Sequence, residues 1–263
     1  MKDVERSSAV VRELCRLGSA AQFLTRLPLP DPGWETGRMR LALAWFPLIG
    51  LGIGALTAGV LWLAAMALPV AVAAGVALAF QLILTGALHE DGLADTADAL
   101  GARGQDPEKA LAIMRDSRIG AYGTVAIVLC LLLRWGAFAA LAEAPAMAAA
   151  TLMLAGAGSR ATALPLAALL PMARSDGLGA MLARPDRGRG FLRREWAALI
   201  GVALVGLAWA GGAAITAVIG AVAVGLAVAR LARRLGGMTG DLYGAAIIGA
   251  ETVVLVLCTA TLA

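Results

Sequence analysis

The chain has 263 residues, of which 60% are hydrophobic and 15% charged, with 32 Gly and 22 Lys+Arg against 18 Asp+Glu. A soluble domain carries about 25% charged residues and a disordered one cannot be this apolar, so both classes are excluded. Three Cys, two of them (Cys130, Cys258) deep in apolar runs, exclude a disulfide scaffold and leave an all-α, polytopic membrane protein.

In chain order, Val10, Val11, Leu14, Leu17, Gly18 and Ala21 recur at helical spacing with Arg6, Arg12, Glu13 and Arg16 between them. This pattern predicts an amphipathic helix on the cytoplasmic membrane surface, ended by Pro28, Pro30 and Pro32. The basic start is followed by no uncharged apolar stretch and no small-residue cleavage pattern, so a signal peptide is not expected. Seven spans follow: 41–66, 70–88, 121–141, 146–171, 196–210, 213–229 and 243–262. The uncharged stretch 196–229 is read as a hairpin turning at Gly211-Gly212. Trp45 and Trp62 bracket the first span as interfacial aromatics do. Gly50, Gly52 and Gly54, and the run 155–158, read as small residues for close helix packing, since nothing strand-like precedes them to make a nucleotide loop.

Seven Lys/Arg precede the first span, and the segments 89–120, 172–195 and 230–242 hold four, six and three, leaving only Arg134 and Arg160 inside spans. With seven spans every basic loop falls on one face, which places the N-terminus in the cytoplasm. The expected organisation is one membrane domain over 1–263, with an interfacial segment at 1–40 and the bundle at 41–262.

Acidic residues are distributed differently. Seven of the 18 lie between Glu90 and Asp116, and His89-Glu90-Asp91-Gly92-Leu93-Ala94-Asp95-Thr96-Ala97-Asp98 holds four of them. On a helix, Asp91, Asp95 and Asp98 share one face and repel. A divalent, oxygen-preferring cation, Mg²⁺ above all, relieves that repulsion; a solvated acidic turn is the plainer alternative. Arg115-Asp116-Ser117-Arg118-Ile119-Gly120 and Gly236-Gly237-Met238-Thr239-Gly240-Asp241 each lead into a span, the latter just after Arg230, Arg233 and Arg234. Glycine backbone, guanidinium groups and helix N-termini together suit a diphosphate, although each cluster alone is equally a flexible, topologically basic loop. Arg134, Arg160 and Glu251, inside spans, pair or line a polar cavity. His89, the only His, is a general base or an interfacial residue.

These motifs resemble the adenosylcobinamide-GDP ribazoletransferase (cobalamin 5′-phosphate synthase) family. Four stretches carry the likeness: 22–28 (QFLTRLP), 45–50 (WFPLIG), 89–98 with 115–120, and Gly237-Met238-Thr239-Gly240-Asp241. The resemblance implies a Mg²⁺-dependent transfer of adenosylcobinamide phosphate from adenosylcobinamide-GDP to α-ribazole or its 5′-phosphate, with release of GMP, in a bacterial cytoplasmic membrane. It implies that Asp91, Asp95 and Asp98 hold metal with Glu90 beside them, and that Arg115, Arg118 and Arg233 clamp phosphate. Arg26, Thr239 and Arg160 become further substrate contacts, and Asp241 a ligand to a second ion or the acceptor of the attacking hydroxyl's proton. The partners implied are the two substrates and the lipid bilayer, with no nucleic acid; a homo-oligomer is compatible with it. Prenyl and CDP-alcohol transferases use Asp-rich helix ends for related chemistry, but extend the motif differently. A transporter would place its polar groups near the midplane.

Overall fold

A computed structural model describes residues 8–30, 36–101, 106–182, 193–210 and 212–260. These residues form helices and connecting turns, with one isolated β-bridge between Met172 and Met238. Helix α1 (Ala9–Leu24) is capped by Ser8, whose Oγ accepts from Val11 N–H. Glu13 on α1 accepts from the Trp45 indole and pairs with Arg194, tying the interfacial helix to the first span. Helix α2 (Thr36–Ala42), a 3₁₀ turn at Leu43–Trp45 and α3 (Phe46–Ala65) make that span. Helix α4 (Val70–Thr85) follows, then α5 (Leu88–Gly101), α6 (Pro107–Ile113) and α7 (Ala121–Ala142). Helices α8 (Pro145–Ala161) and α9 (Ala163–Leu169) divide at Thr162, where Pro165 lacks the N–H that would continue the ladder. A 3₁₀ turn at Leu178–Leu182, α10 (Arg193–Ala210), α11 (Gly212–Arg234) and α12 (Gly240–Thr259) complete the order.

Among the described residues, five helical stretches are long and apolar enough to cross a membrane: Arg38–Ala65, Ala121–Ala142, Pro145–Leu169, Ile215–Arg234 and Gly240–Thr259. The bent pair α4–α5 makes six. Two of the seven expected spans therefore need qualification. The second ends at Thr85 rather than 88, because Gly86 takes a left-handed conformation (φ 64°) and Ala87 follows it (φ 53°). The chain bends by 88° there, and the acidic helix α5 crosses the end of the bundle instead of prolonging α4. The fifth expected span, α10, has 18 residues and opens on Arg193, Arg194 and Glu195, and it is not among these candidate stretches. Stretch 196–229 is divided between α10 and α11, which pack on each other; Gly211, where the turn was expected, lies outside the described residues.

The closest helix contact is between α3 and α8. A Cβ on Gly50 would stand 2.1 Å from the Gly156 carbonyl oxygen, and one on Gly54 2.1 Å from that of Leu152. Gly52 faces open space, so only two of the three glycines serve the contact. In lipid no hydrophobic drive holds helices together, and this backbone approach supplies the packing instead. Gly54→Ala is expected to push α3 off α8 and cost about 1–3 kcal/mol, read as a lower unfolding temperature of the detergent-purified protein, while Gly52→Ala leaves it unchanged.

Helix α12 is buried on most of its circumference and touches α5, α7, α8 and α11. Two apolar clusters share it. One, with Leu24, Leu43, Phe46, Leu164 and Leu242, reaches Ile247; the other, with Leu61, Phe138, Leu141 and Leu152, begins at Ala250. Glu251 sits at their junction.

Candidate active site at the end of the bundle

At that junction the intramembrane charges close on one another. Glu251 pairs with Arg160 and, at 3.4 Å, with Arg134, whose other Nη donates to Glu90 at 2.6 Å. Gln81 bridges, its amide donating to Glu251 (2.7 Å) and its carbonyl accepting from Arg134 (2.9 Å). Both Arg side chains are 1% exposed. A charge in hydrocarbon is tolerated only when paired and hydrogen-bonded, and here two Arg answer two Glu from four helices, with Gln81 added from a fifth. Arg160, expected as a substrate contact, is thus enclosed by Glu251 and Ser159 and is not on a cavity wall. Glu90, expected beside the metal, turns to Arg134.

Above this network α5 lies against the first turns of α12. Gly92 permits the approach: a Cβ there would meet the Asp241 backbone at 2.7 Å. Thr239 caps α12, its Oγ1 accepting from Leu242 N–H at 3.2 Å, which accounts for its hydroxyl without a substrate. The preceding segment is held by the loop after α9, since Met238 N–H donates to Pro171 (2.7 Å) and Ala173 N–H to Met238 (2.8 Å). That stitch brings Arg174 to Asp241, with Nη2 to Oδ2 at 2.6 Å. A cavity of about 390 Å³ opens between these elements, and its wall includes His89, Asp91, Arg115, Arg174, Asp176 and Asp241.

The carboxylates of the acidic helix have separate surroundings. Asp91 is exposed on the cavity wall. Asp95 is partly buried; burial first, and then the charges of Asp91, Asp241 and Asp98, push its carboxyl up to about 7 against the pull of Arg174. Asp98 accepts from the backbone N–H groups of Gly120 (2.7 Å) and Gly123 (2.9 Å), so its charge sits at the N-terminus of α7. Its spacing with Asp91 and Asp95 did not reveal this second partner. Among the described residues no three His, Cys, Asp or Glu side chains already form a metal cage. Mg²⁺ does not need one, being held usually by one or two carboxylates with water and substrate phosphate. Asp91 and Asp241 of the lining offer oxygen donors that fit such a cation, with Asp95, raised by burial and then by their charges, close to both.

Of the expected phosphate ligands, Arg115 is on the cavity wall, 3.4 Å from both carboxylate oxygens of Asp176. Arg118 is exposed and held by Asp116 of its own loop at 2.6 Å. Arg233 is exposed in the last turn of α11. Arg26 is exposed beside Gly86, its backbone N–H donating to Leu84 at 2.7 Å. His89 is 2% exposed, and its Nε2 has no hydrogen-bond partner among the described residues. Arg174 and Asp176 escaped the sequence reading because the basic loop 172–195 was accounted for by topology alone. The available signal was an Arg-Ser-Asp-Gly run immediately after a span. The cavity lining therefore combines carboxylates (Asp91, Asp176, Asp241) with guanidinium groups (Arg115, Arg174), donors for a cation and for anionic oxygens in one space.

Comparison with known proteins gives a consistent result. Residues 16–259 match the family model described as cobalamin-5-phosphate synthase. An adenosylcobinamide-GDP ribazoletransferase of Ralstonia nicotianae is 41% identical over 253 residues, covering 94% of this chain and 96% of the relative. One of Bradyrhizobium diazoefficiens is 41% identical over 247 residues (92% of each), and one of a Sinorhizobium species 42% over 231 (85% and 87%). No solved structure matches the chain.

Proposed function

The chain belongs to the cobalamin-5-phosphate synthase family, and from that premise we propose that it joins adenosylcobinamide-GDP to α-ribazole or α-ribazole 5′-phosphate with release of GMP. A ribose hydroxyl of the acceptor attacks the phosphorus that bears the cobinamide. A new P–O bond forms, the anhydride P–O bond breaks toward GMP, and the hydroxyl proton is lost to solvent or a carboxylate. The observation that carries this reading is the cavity whose lining brings Asp91 and Asp241 together with Arg115 and Arg174.

Asp91, Asp95 and Asp241 would hold Mg²⁺, which when bound would offset charge on the diphosphate and the departing phosphate oxygen. Arg115 binds phosphate oxygens and orients the diphosphate. Asp98 fixes α5 against the start of α7, and Glu90 fixes it through Arg134, so both support the carboxylates instead of coordinating.

The protein is a multi-pass membrane protein, and the clustering of Lys and Arg in 1–40, 89–120, 172–195 and 230–242 supports a cytoplasmic N-terminus and cavity in a bacterial inner membrane. Inverted membrane vesicles containing the protein, given adenosylcobinamide-GDP, α-ribazole and Mg²⁺, are expected to release GMP and form a corrinoid of higher mass. Right-side-out vesicles are expected to do neither. Inverted vesicles that release no GMP would remove the assignment, and release that persists in EDTA would remove the metal from it.

A further inference from the structure

Among the described lining residues two guanidinium groups, Arg115 and Arg174, each meet a carboxylate, and it is Arg174 that holds Asp241 at the start of α12. The Arg174 backbone is fixed by the Met172–Met238 bridge, a contact between segments more than sixty residues apart in sequence. Its guanidinium meets Asp241 at 2.6 Å in a mostly enclosed setting, whereas Arg115 meets Asp176 at 3.4 Å in an open one. Asp241 in turn is one of the charges that raise Asp95. A guanidinium seated on that carboxylate occupies the position of a cation and faces the space where phosphate oxygens would lie.

We infer that Arg174 has two alternating partners: Asp241 in the empty site, and an oxygen of the substrate diphosphate in the filled one, so that arrival of the diphosphate frees Asp241 for the divalent cation. This rests on reading the cavity as a diphosphate and cation site. Arg174 is then a substrate-contacting residue and also the counter-ion that keeps the carboxylates of the lining from holding a cation tightly before substrate is present. By linkage each ligand must strengthen the other. A planar, five-donor guanidinium suits the exchange, because it matches carboxylate and phosphate geometry equally.

The test uses the full chain in detergent and two probes. Mn²⁺ binding, followed by the free-ion magnetic resonance signal without any phosphate, should be tighter in Arg174→Gln than in wild type by about 5-fold or more. Arg115→Gln removes a charge from the same lining but not from Asp241, and should gain less. Pyrophosphate binding in EDTA should weaken about 10-fold in Arg174→Gln and be partly restored in Arg174→Lys. Asp241→Asn, which releases Arg174, should bind pyrophosphate more tightly than wild type; this variant decides the matter if Arg174→Gln does not fold. Equal Mn²⁺ gains at Arg174 and Arg115, or unchanged pyrophosphate binding at Arg174→Gln and Asp241→Asn, would overturn the exchange. Neither probe involves a corrinoid, so the split could appear in a protein that releases no GMP, which would sink the proposed reaction alone; GMP release without the split would sink this inference alone.

Discussion

Asp91→Asn and Asp241→Asn proteins are expected to accumulate in the membrane normally and to lose turnover by on the order of 10³-fold, the loss of several kcal/mol of transition-state stabilisation. Both residues line the cavity, and neither anchors a helix. Asparagine keeps the size and removes the charge. Burial first, and then the charges of Asp91, Asp241 and Asp98, raise the Asp95 carboxyl; removing one of those charges relieves repulsion, so Asp91→Asn should not lower the unfolding temperature in EDTA. Asp241→Asn also gives up its mostly enclosed pair with Arg174, which costs more than the roughly 1 kcal/mol of an exposed pair, so Asp91→Asn is the cleaner of the two. Asp98→Asn should behave in the opposite sense. It accepts from both Gly120 and Gly123, and an amide oxygen cannot replace two carboxylate oxygens. Its cost is expected in stability, about 1–2 kcal/mol by analogy with helix caps. GMP release and thermal unfolding measured on the same three preparations separate the two classes; an Asp98 variant that unfolds like wild type but is inactive would return that residue to the metal.

The second large effect belongs to the buried charges. Arg134→Met is expected to destabilise the protein by about 3–5 kcal/mol, because it leaves Glu90 without its partner and Glu251 with one fewer inside apolar surroundings. Arg134→Met combined with Glu90→Gln should recover a substantial part, since the two residues are directly coupled. Denaturant titration of the purified proteins checks both, and an additive double variant would show that the pair carries no coupling. The same substitution should also reduce activity beyond the loss of folded protein, as Glu90 precedes Asp91 on the helix that the pair holds in place.

Much of this arrangement was legible in the residues. Apolar runs located most of the spans, and the excess of carboxylates at 90–98 pointed to the helix that contributes Asp91 to the cavity lining. Helical spacing did put Asp91 and Asp95 together, since α5 is a helix. What spacing could not convey was competition from distant donors. Glycine backbone beyond position 119 takes Asp98, and an arginine 44 positions away takes Glu90. The choice between ion pair and cavity for Arg160 likewise depended on where α12 brought Glu251. Arg174 was hidden for another reason: a basic loop satisfies the topology rule so well that its contribution to a site adds no visible anomaly. Gly86 did carry a signal, being a helix-ending residue four positions before the first carboxylate of the acidic run.

The bend at Gly86 also fixes the depth of the site. Helix α4 has 16 residues and rises about 24 Å, against a hydrocarbon core of about 30 Å. A helix that falls short by a few ångströms draws the bilayer inward around it. Such thinning would set the acidic helix in a local depression, level with lipid headgroups. Membrane thickness becomes a variable of the reaction: in a thicker bilayer the dimple deepens, and water, cation and nucleotide must reach further down to meet the carboxylates.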